Sequence, residues 1–592
     1  MSQLSSGIES IEKALNQGQI FLAHNIASEM LMEHPEHFKL VQLNAIALNR
    51  LNQPEKSLDI ILRIINKGKK DGETMGILGR TFKDLYKKSK NTDLLRKSAE
   101  AYFSGYINTR AYYPAINAAS LFYVLGDKAK ADQIAKEVIE IIGYSRDYWS
   151  SATLGEAYLL MDMEHEAIMH FEKAITEDKK QFGKFQSTYA QLSFLSEFKD
   201  IAPGILELFP KPNLAVFSGH MIDDPGRKEK RFPAEIEEEV KLALKHQLEA
   251  LDIDIGFTSL ASGGDIIFAE LLKERNAEIK AYLPFRADDF ISTSVSTAGL
   301  GWINRFENCY DCNPKLLTSE PYLETPALFQ HLGKVMMGEC LILSEQYDTI
   351  PSLVTVLAPN QINKAGGTKD LLDMWPYSHH HHNVDPARFF NAQSNFQKIQ
   401  GRVESENVPP SDVERKVSNI LFADIVGFSK LLSEDTPKII LSLLKNIRKL
   451  IHPYDQDIEV INTWGDAIII CHPEVESIFK IALGIQHLFT DEKDRMADLP
   501  PGLNIRIALH TGPAFFAVDP LTGEPNVYGT SVNRAARMEP VTIPGSIYAS
   551  DQFAACLKLS SQNEIEIKHV GIIELPKGFG KQEVYQISNT SL

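Results

Sequence analysis

The stretch Ile420–Phe428, I-L-F-A-D-I-V-G-F, constrains this chain more than any other. An apolar run of strand type ends in an acid, Asp424, and then in a glycine turn. A second acid, Asp466, follows Gly465 at the tip of what reads as a hairpin from Ile458 to Cys471. V-N-R-A-A-R, from Val532 to Arg537, sets Asn533 and Arg537 four residues apart, on one face of a helix. Two carboxylates, a glycine turn and a paired amide and guanidinium suit metal-assisted chemistry on a nucleoside triphosphate. The bland alternative is two ordinary solvated carboxylates far apart in sequence.

A chain of 592 residues exceeds what one core supports, so several domains are expected. The composition, 44% hydrophobic and 23% charged, is that of globular protein and argues against disorder. A formal net charge of -17 argues against non-specific binding to nucleic acid or an anionic membrane, while leaving room for a local basic pocket. No apolar run reaches the roughly 18 residues of a membrane span. The N-terminus, M-S-Q-L-S-S-G-I-E-S, lacks the basic and apolar regions of a signal peptide. A soluble, cytoplasmic protein is the expectation. Five cysteines fit a reducing compartment, and Cys309-x-x-Cys312 has no second pair to complete a zinc site.

Residues 1–209 show helical periodicity broken by short polar turns. Ala47–Asn52 is followed by Ser57, Phe122–Gly126 by Ala131, and Tyr158–Asp162 by Ala167, small residues placed where two helices of a hairpin approach closely. The spacing, about 34 to 37 residues per helix pair, resembles a tetratricopeptide array of degenerate repeats. Such an array implies a concave surface for a protein partner; a plain helical scaffold is the alternative.

Residues 210–382 change texture. Strand-like Asn213–Ser218, a helix over 234–251, strand 254–258, the turn Ala261–Asp265, a helix, strand Ile279–Leu283 and the apolar run Glu339–Ser344, expected as a strand, alternate as in a doubly wound α/β, Rossmann-like domain. Ser218-Gly219-His220 and Gly263-Gly264-Asp265 fall at carboxyl ends of strands, where such folds bind ligands. The segment loosely resembles nucleotide-sensing domains of the SLOG group, which implies a nucleotide-like ligand. His379–His382, four consecutive histidines, reads as an exposed loop. Residues 383–414, polar with Pro409-Pro410, read as a linker.

The segment 415–592 resembles the catalytic domain of class III adenylyl and guanylyl cyclases, through F-A-D-I-V-G-F, N-T-W-G-D, R-I-A-L-H-T-G (506–512) and Y-G-T-S-V-N-R-A-A-R-M-E (528–539). The resemblance implies an α+β fold with a ferredoxin-like core and conversion of a nucleoside triphosphate to a 3′,5′-cyclic nucleotide. It implies two ions, Mg2+ or Mn2+, held by Asp424, Asp466 and the Ile425 carbonyl. The amides around Gly427 and Phe428 cradle phosphates, Asn533 positions the ribose, Arg537 stabilises the α-phosphate, and Arg506 binds triphosphate. The site halves come from two subunits, so a homodimer is implied. The chain departs from the family at the base-selecting pair, Asn462 with Asn526, which fits neither the adenine nor the guanine pattern and leaves pyrimidines open. Phe579 stands where the family has a lysine, with Lys581 or Lys577 as substitutes. A weak or inactive cyclase-like nucleotide-binding scaffold is the alternative function.

Overall fold

The computed structural model describes residues 3–16, 20–177, 180–224, 227, 230–359, 366–390, 413–428, 436–490, 503–561 and 565–589. The proline pair of the expected linker lies outside them. The chain divides into two compact units, Met1–Lys211 with Val570–Ile573, and Pro212–His569 with Glu574–Leu592.

The first unit is a helical repeat array: α1 Gln3–Asn16, α2 Ile20–Glu33, α3 Phe38–Arg50, α4 Pro54–Asn66, α5 Gly72–Ser89, α6 Thr92–Thr109, α7 Tyr112–Val124, α8 Lys128–Ile142, α9 Tyr148–Leu160, α10 Glu164–Glu177, α11 Phe182–Ser196 and the short α12 Pro203–Glu207. Three of its turns repeat one device. Asn52, Gly126 and Asp162 take positive φ (56°, 86° and 61°) just past α3, α7 and α9. The next amides, of Gln53, Asp127 and Met163, donate back to the carbonyls of Leu48, Phe122 and Tyr158 at 2.8, 2.9 and 3.0 Å. That left-handed cap closes each helix and returns the chain antiparallel. Ser57, Ala131 and Ala167 then have no exposed surface, so the second helix of each pair sits tight on the first.

The second unit begins with a six-stranded parallel sheet in the order β4-β3-β2-β1-β5-β6. Its elements are β1 Leu214–Gly219, α13 Glu237–Leu251, β2 Ile255–Thr258, α14 Gly264–Glu274, β3 Glu278–Leu283, α15 Ala287–Phe290, α16 Leu300–Tyr310, β4 Lys315–Leu316, α17 Ala327–Gln346, β5 Ser352–Val356, α18 Thr368–Met374 and β6 His381–Val384. The order reverses between β1 and β5, the switch point of a doubly wound sheet. Two expectations are corrected here. Glu339–Ser344 is the last part of α17, not a strand; α17 is covered on one side by the sheet and on the other by a further helix, so its apolar residues run nearly all round it and mimic a buried strand. The histidine run is not a loop either: His381 and His382 open β6, in register with Leu353 and Val354, and His381 Nε2 lies 2.9 Å from Thr355 Oγ1.

The rest is β7 Glu414–Val426, α19 Thr436–Ile451, β8 Val460–Trp464, β9 Ala467–His472, α20 Val475–Thr490, β10 Asn504–Val518, β11 Pro525–Tyr528, α21 Thr530–Met538, β12 Ile547–Ser550, α22 Asp551–Ser560, β13 Ile565–Leu575 and β14 Gly580–Asn589. The sheet runs β13-β14-β12-β10-β7-β9-β8, with β11 paired to β10. Its β10-β7-β9-β8 portion, with α19 and α20 as crossovers, is a ferredoxin-like core. One sheet face packs on α19, α20 and α22; Ile420, Phe422, Ile469, Val532 and Ala535 form a smaller core between the other face and α21. The first face shares a continuous core with the parallel-sheet domain: Met336, Met337 and Cys340 of α17 belong with Phe553, Ala554 and Leu557 of α22. Gly338 permits that contact, since a Cβ there would stand 2.0 Å from the Ala555 carbonyl oxygen.

Candidate active site

Strand register assembles the acidic group. Asp424 on β7 lies directly opposite Arg506 on β10 and opposite Ala467 on β9, the residue after Asp466. Directly opposed residues share a sheet face, so the Asp424 carboxylate and the Arg506 guanidinium meet, at 3.0 Å. Gly465 turns the β8–β9 hairpin with φ of 69°, which brings Asp466 to the same end of the sheet. Gly427, with φ of 89°, ends β7 beside Phe428.

The structure adds a third acid that sequence reasoning passed over. Glu539 follows α21 and is 5% exposed. Its Oε1 is 2.6 Å from Arg506 Nε, an ion pair by distance whose N–H is not aimed along the contact, so both atoms remain without a hydrogen bond. Burial pushes the Glu539 carboxyl up to about 7 against the pull of Arg506, and the Asp424 and Asp466 charges push the same way. The signal was the glutamate closing the R-A-A-R-M-E run. Asp424, Asp466 and the Ile425 carbonyl are hard oxygen donors of the kind a divalent cation takes, and the buried Glu539 oxygen beside them lacks a hydrogen bond. Among the described residues no three acidic, histidine or cysteine side chains close into a cage, so such an ion would complete its shell from substrate phosphates and water.

Asn462 and Asn526 do meet: Asn462 Nδ2 donates to Asn526 Oδ1 at 3.2 Å. Asn526 is itself held, its Nδ2 donating to Asp519 Oδ2 at 3.0 Å while its Oδ1 accepts from the Val527 amide at 2.9 Å. Asp519, in the β10–β11 turn, was likewise missed, because an acid in a Gly- and Pro-containing turn reads as a turn residue.

Asn533 is exposed and Arg537 half-buried on α21, whose inward face is Val532, Ala535 and Met538. Among the described residues neither side chain hydrogen-bonds the acidic group, and none of the principal cavities lies there. Lys581 is exposed on β14, Lys577 takes φ of 62° in the turn before it, and Phe579 packs against Arg534, 5.5 Å from ring centroid to guanidinium. The sheet face around Asn462 carries two exposed apolar side chains, Trp464 (53% exposed) and Val518.

In the parallel-sheet domain the two glycine turns converge. The Gly219 amide donates to Asp265 Oδ1 at 3.2 Å, and a Cβ on Gly219 would reach Gly264 Cα at 3.1 Å. Burial pushes the Asp265 carboxyl up to about 6 and holds His220 down to about 3, neutral, its Nε2 accepting from the Ala358 amide. These residues line a cavity of about 190 Å3.

The C-terminal part of the chain is similar to the catalytic domains of class III adenylate and guanylate cyclases. Residues 412–589 match the family of adenylate and guanylate cyclase catalytic domains, and residues 20–122 match the tetratricopeptide repeats-sensor family. Guanylate cyclase 2G of Rattus norvegicus is 29% identical over 201 residues, 31% of this chain and 17% of that protein. Guanylyl cyclase C of Homo sapiens is 32% identical over 151 residues, 24% of this chain and 14% of that one. The chain therefore spans less than a fifth of the length of these relatives. Among solved structures, the adenylyl cyclase CyaB from P. aeruginosa aligns with 17% identity over 30% of this chain and 96% of its own, TM-score 0.27. The guanylate cyclase domain of RhGC from Catenaria anguillulae, in complex with GTP, aligns with 22% identity over 30% and 98%, TM-score 0.26. No helix among the described residues is long and apolar enough to cross a membrane.

Proposed function

We propose that the C-terminal domain converts a nucleoside triphosphate to a 3′,5′-cyclic nucleotide and pyrophosphate as a homodimer. The observation that carries this is the register that sets Asp424 against Arg506 and beside Asp466, with Glu539 closing the group. Asp424, Asp466 and the Ile425 carbonyl would hold two divalent cations, Mg2+ or Mn2+, which would supply Lewis acidity toward the ribose hydroxyl and the leaving pyrophosphate. The rest is done by side chains. Arg506 holds the Asp424 carboxylate in orientation and presents its positive charge where triphosphate oxygens enter. The amides at Gly427 and Phe428 bind phosphate, since glycine lets the backbone approach closely. Asn462 and Asn526 face the base. Asn533 orients the ribose, and Arg537 offsets charge on the α-phosphate.

Among the described residues neither Asn533 nor Arg537 hydrogen-bonds the acidic group through its side chain, and none of the cavities described above adjoins that group. Both facts suit a site finished by a second copy. Exposed Trp464 and Val518 on one face are apolar surface such a partner would cover. We further propose that the helical array takes a protein partner. A cavity of about 290 Å3, walled by Arg80, Lys83, Tyr113, Trp149 and Glu156, offers an anchor point. The cavity at the β1–β5 switch suits a phosphate- or ribose-sized part of a nucleotide-like ligand, being smaller than the roughly 300 Å3 at which drug-sized pockets begin.

The test is turnover of ATP, GTP, CTP and UTP by the full-length protein with Mg2+ or Mn2+, beside Asp424→Ala. A cyclic product from one nucleotide, reduced more than about 100-fold in the variant, is expected for loss of a metal-holding carboxylate. A folded, dimeric protein silent with all four nucleotides would leave a nucleotide-binding scaffold instead. The full chain is used because α17 and α22 share one core.

A further inference from the structure

The helix that bears Asn533 and Arg537 begins without a cap of its own. Its N-cap is Gly529, at φ of 128°, a conformation that favours glycine and leaves no side chain to satisfy the first amides. The missing acceptor comes from the parallel-sheet domain. Glu320, about 210 residues earlier in the chain, accepts from the Thr530 amide at 3.1 Å and from the Thr530 hydroxyl at 2.7 Å, both on Oε1. Its other oxygen accepts from Arg415 NH2 at 2.9 Å, in an ion pair whose side chains are 11% and 2% exposed. Arg415 also donates to the Pro321 carbonyl at 3.2 Å and lies 5.4 Å from the Phe515 ring.

Glu320 belongs to an irregular strap, residues 317–326, between β4 and α17. The strap is fastened at both ends. The Leu317 carbonyl accepts from Gln552 Nε2 of α22 at 2.9 Å. At the other end the Tyr322 amide donates to Asp289 Oδ2 at 3.0 Å, and the Tyr322 ring stacks on Phe285 at 4.7 Å and meets Phe329 edge-on at 5.7 Å. Phe329 and Phe290 are walls of the switch-point cavity. One short segment thus joins the lining of that cavity to the first turn of α21.

We propose that Glu320 is a positioning residue for the cyclase reaction: the parallel-sheet domain, through its strap, caps α21 and sets where Asn533 and Arg537 stand. A carboxylate at a helix N-terminus supplies both the acceptor and a charge that complements the helix dipole. Arg415 fixes the carboxylate's direction, so the cap is held from outside the helix. Catalytic geometry then depends on the strap's position, and whatever occupies the cavity acts on α21 through the Phe329–Tyr322 contact. The inference rests on the cyclase reading for its rate measurement only.

The test compares wild type, Glu320→Ala and the isosteric Glu320→Gln as full-length proteins. Amide hydrogen exchange over Thr530–Asn533 is expected to quicken by about tenfold in Glu320→Ala and less in Glu320→Gln, which keeps an acceptor, while protection in β7 and α22 is unchanged. In the same proteins kcat is expected to fall about tenfold or more with KM within about twofold, since Asp424, Asp466 and Arg506 lie off α21, while Asn533 and Arg537 on α21 are proposed to act on the ribose and α-phosphate as they react. Unchanged exchange at Thr530–Asn533 overturns the proposal. So does loosening of β7 and α22 together with α21 in Glu320→Gln, which would make Glu320 a support of the whole fold. A wild type that turns over no nucleotide removes the cyclase reading, and the exchange result alone then decides whether Glu320 holds α21.

Discussion

At the scale of single residues, the acidic group shows how little a charged side chain means until its neighbours are fixed. Asp424 and Asp466 were legible because an apolar strand that ends in an acid and a glycine turn is a pattern with few other uses. Arg506 was legible only as an arginine of a motif; that it stands opposite Asp424 is a property of register, set by two strands some eighty residues apart in sequence. Asp519 was not legible. It acts on the Asn462–Asn526 pair, proposed to face the base, by accepting from Asn526 Nδ2, which turns Asn526 Oδ1 toward Asn462. An asparagine free to flip presents either a donor or an acceptor; one tied to a carboxylate presents a fixed edge. Asp519→Ala is therefore expected to blur base choice rather than to stop the reaction. The ratio of kcat/KM for the preferred over the second-best triphosphate should shrink by about fivefold, the worth of one hydrogen bond of about 1 kcal/mol. Steady-state kinetics with competing nucleotides measures it, and an unchanged ratio would detach Asp519 from specificity.

At the scale of elements, α17 carries the lesson of what periodicity conceals. A helix with sheet on one side and α22 on the other has no polar stripe, so Glu339–Ser344 reads as a buried strand, and only the length of the apolar run distinguishes the two. The α17–α22 contact depends on Gly338, where a methyl group would meet the Ala555 backbone, an obstacle that no side-chain rotation relieves. Gly338→Ala is expected to destabilise the second unit by about 1 to 3 kcal/mol, seen as a lower unfolding midpoint in denaturant. The same seam contains His331, 3% exposed, with Nε2 2.8 Å from Gln552 Oε1. Burial holds His331 down to about 4, with nearby Lys334 pulling the same way, so the ring is neutral in the fold while an unfolded histidine protonates near 6.5. Below pH 6.5 the unfolded chain gains a proton that the native one refuses. The stabilising difference is complete above pH 6.5 and is lost as pH falls toward 4, by about 3 kcal/mol. His331→Gln should flatten the stability curve between pH 6.5 and 4 by that amount. His220 and His510, both also held down by burial, keep some slope in the variant.

At the scale of the molecule, sequence showed three textures, of which the helical array and the α+β C-terminal fold were legible, and missed how the middle one joins the last. The parallel sheet and the cyclase sheet form one unit and share one of its cores, because α17 is buried by both. A run of 592 letters shows where periodicity changes but not that a helix has a second burial partner two hundred residues on. The same joint puts Glu320 at the start of α21, so the helix that bears Asn533 and Arg537 is capped from outside the cyclase match at 412–589. Among the described residues the acidic group and the Asn533–Arg537 face make no side-chain hydrogen bond to each other, and on the proposed reading they are two halves that a head-to-tail pair would bring together twice. That arrangement has a quantitative consequence. In a dimer of Asp424→Ala with Arg537→Ala, one site carries both lesions and the other carries neither. An equal mixture of the two inactive variants, allowed to exchange subunits, forms half mixed dimers with one working site of two. It should recover about a quarter of wild-type activity. Turnover of the mixture, against each variant alone at the same total concentration, measures this. Recovery near a quarter requires sites shared between copies; no recovery, with exchange shown by a tagged subunit, would place Asp424 and Arg537 in one site of one chain.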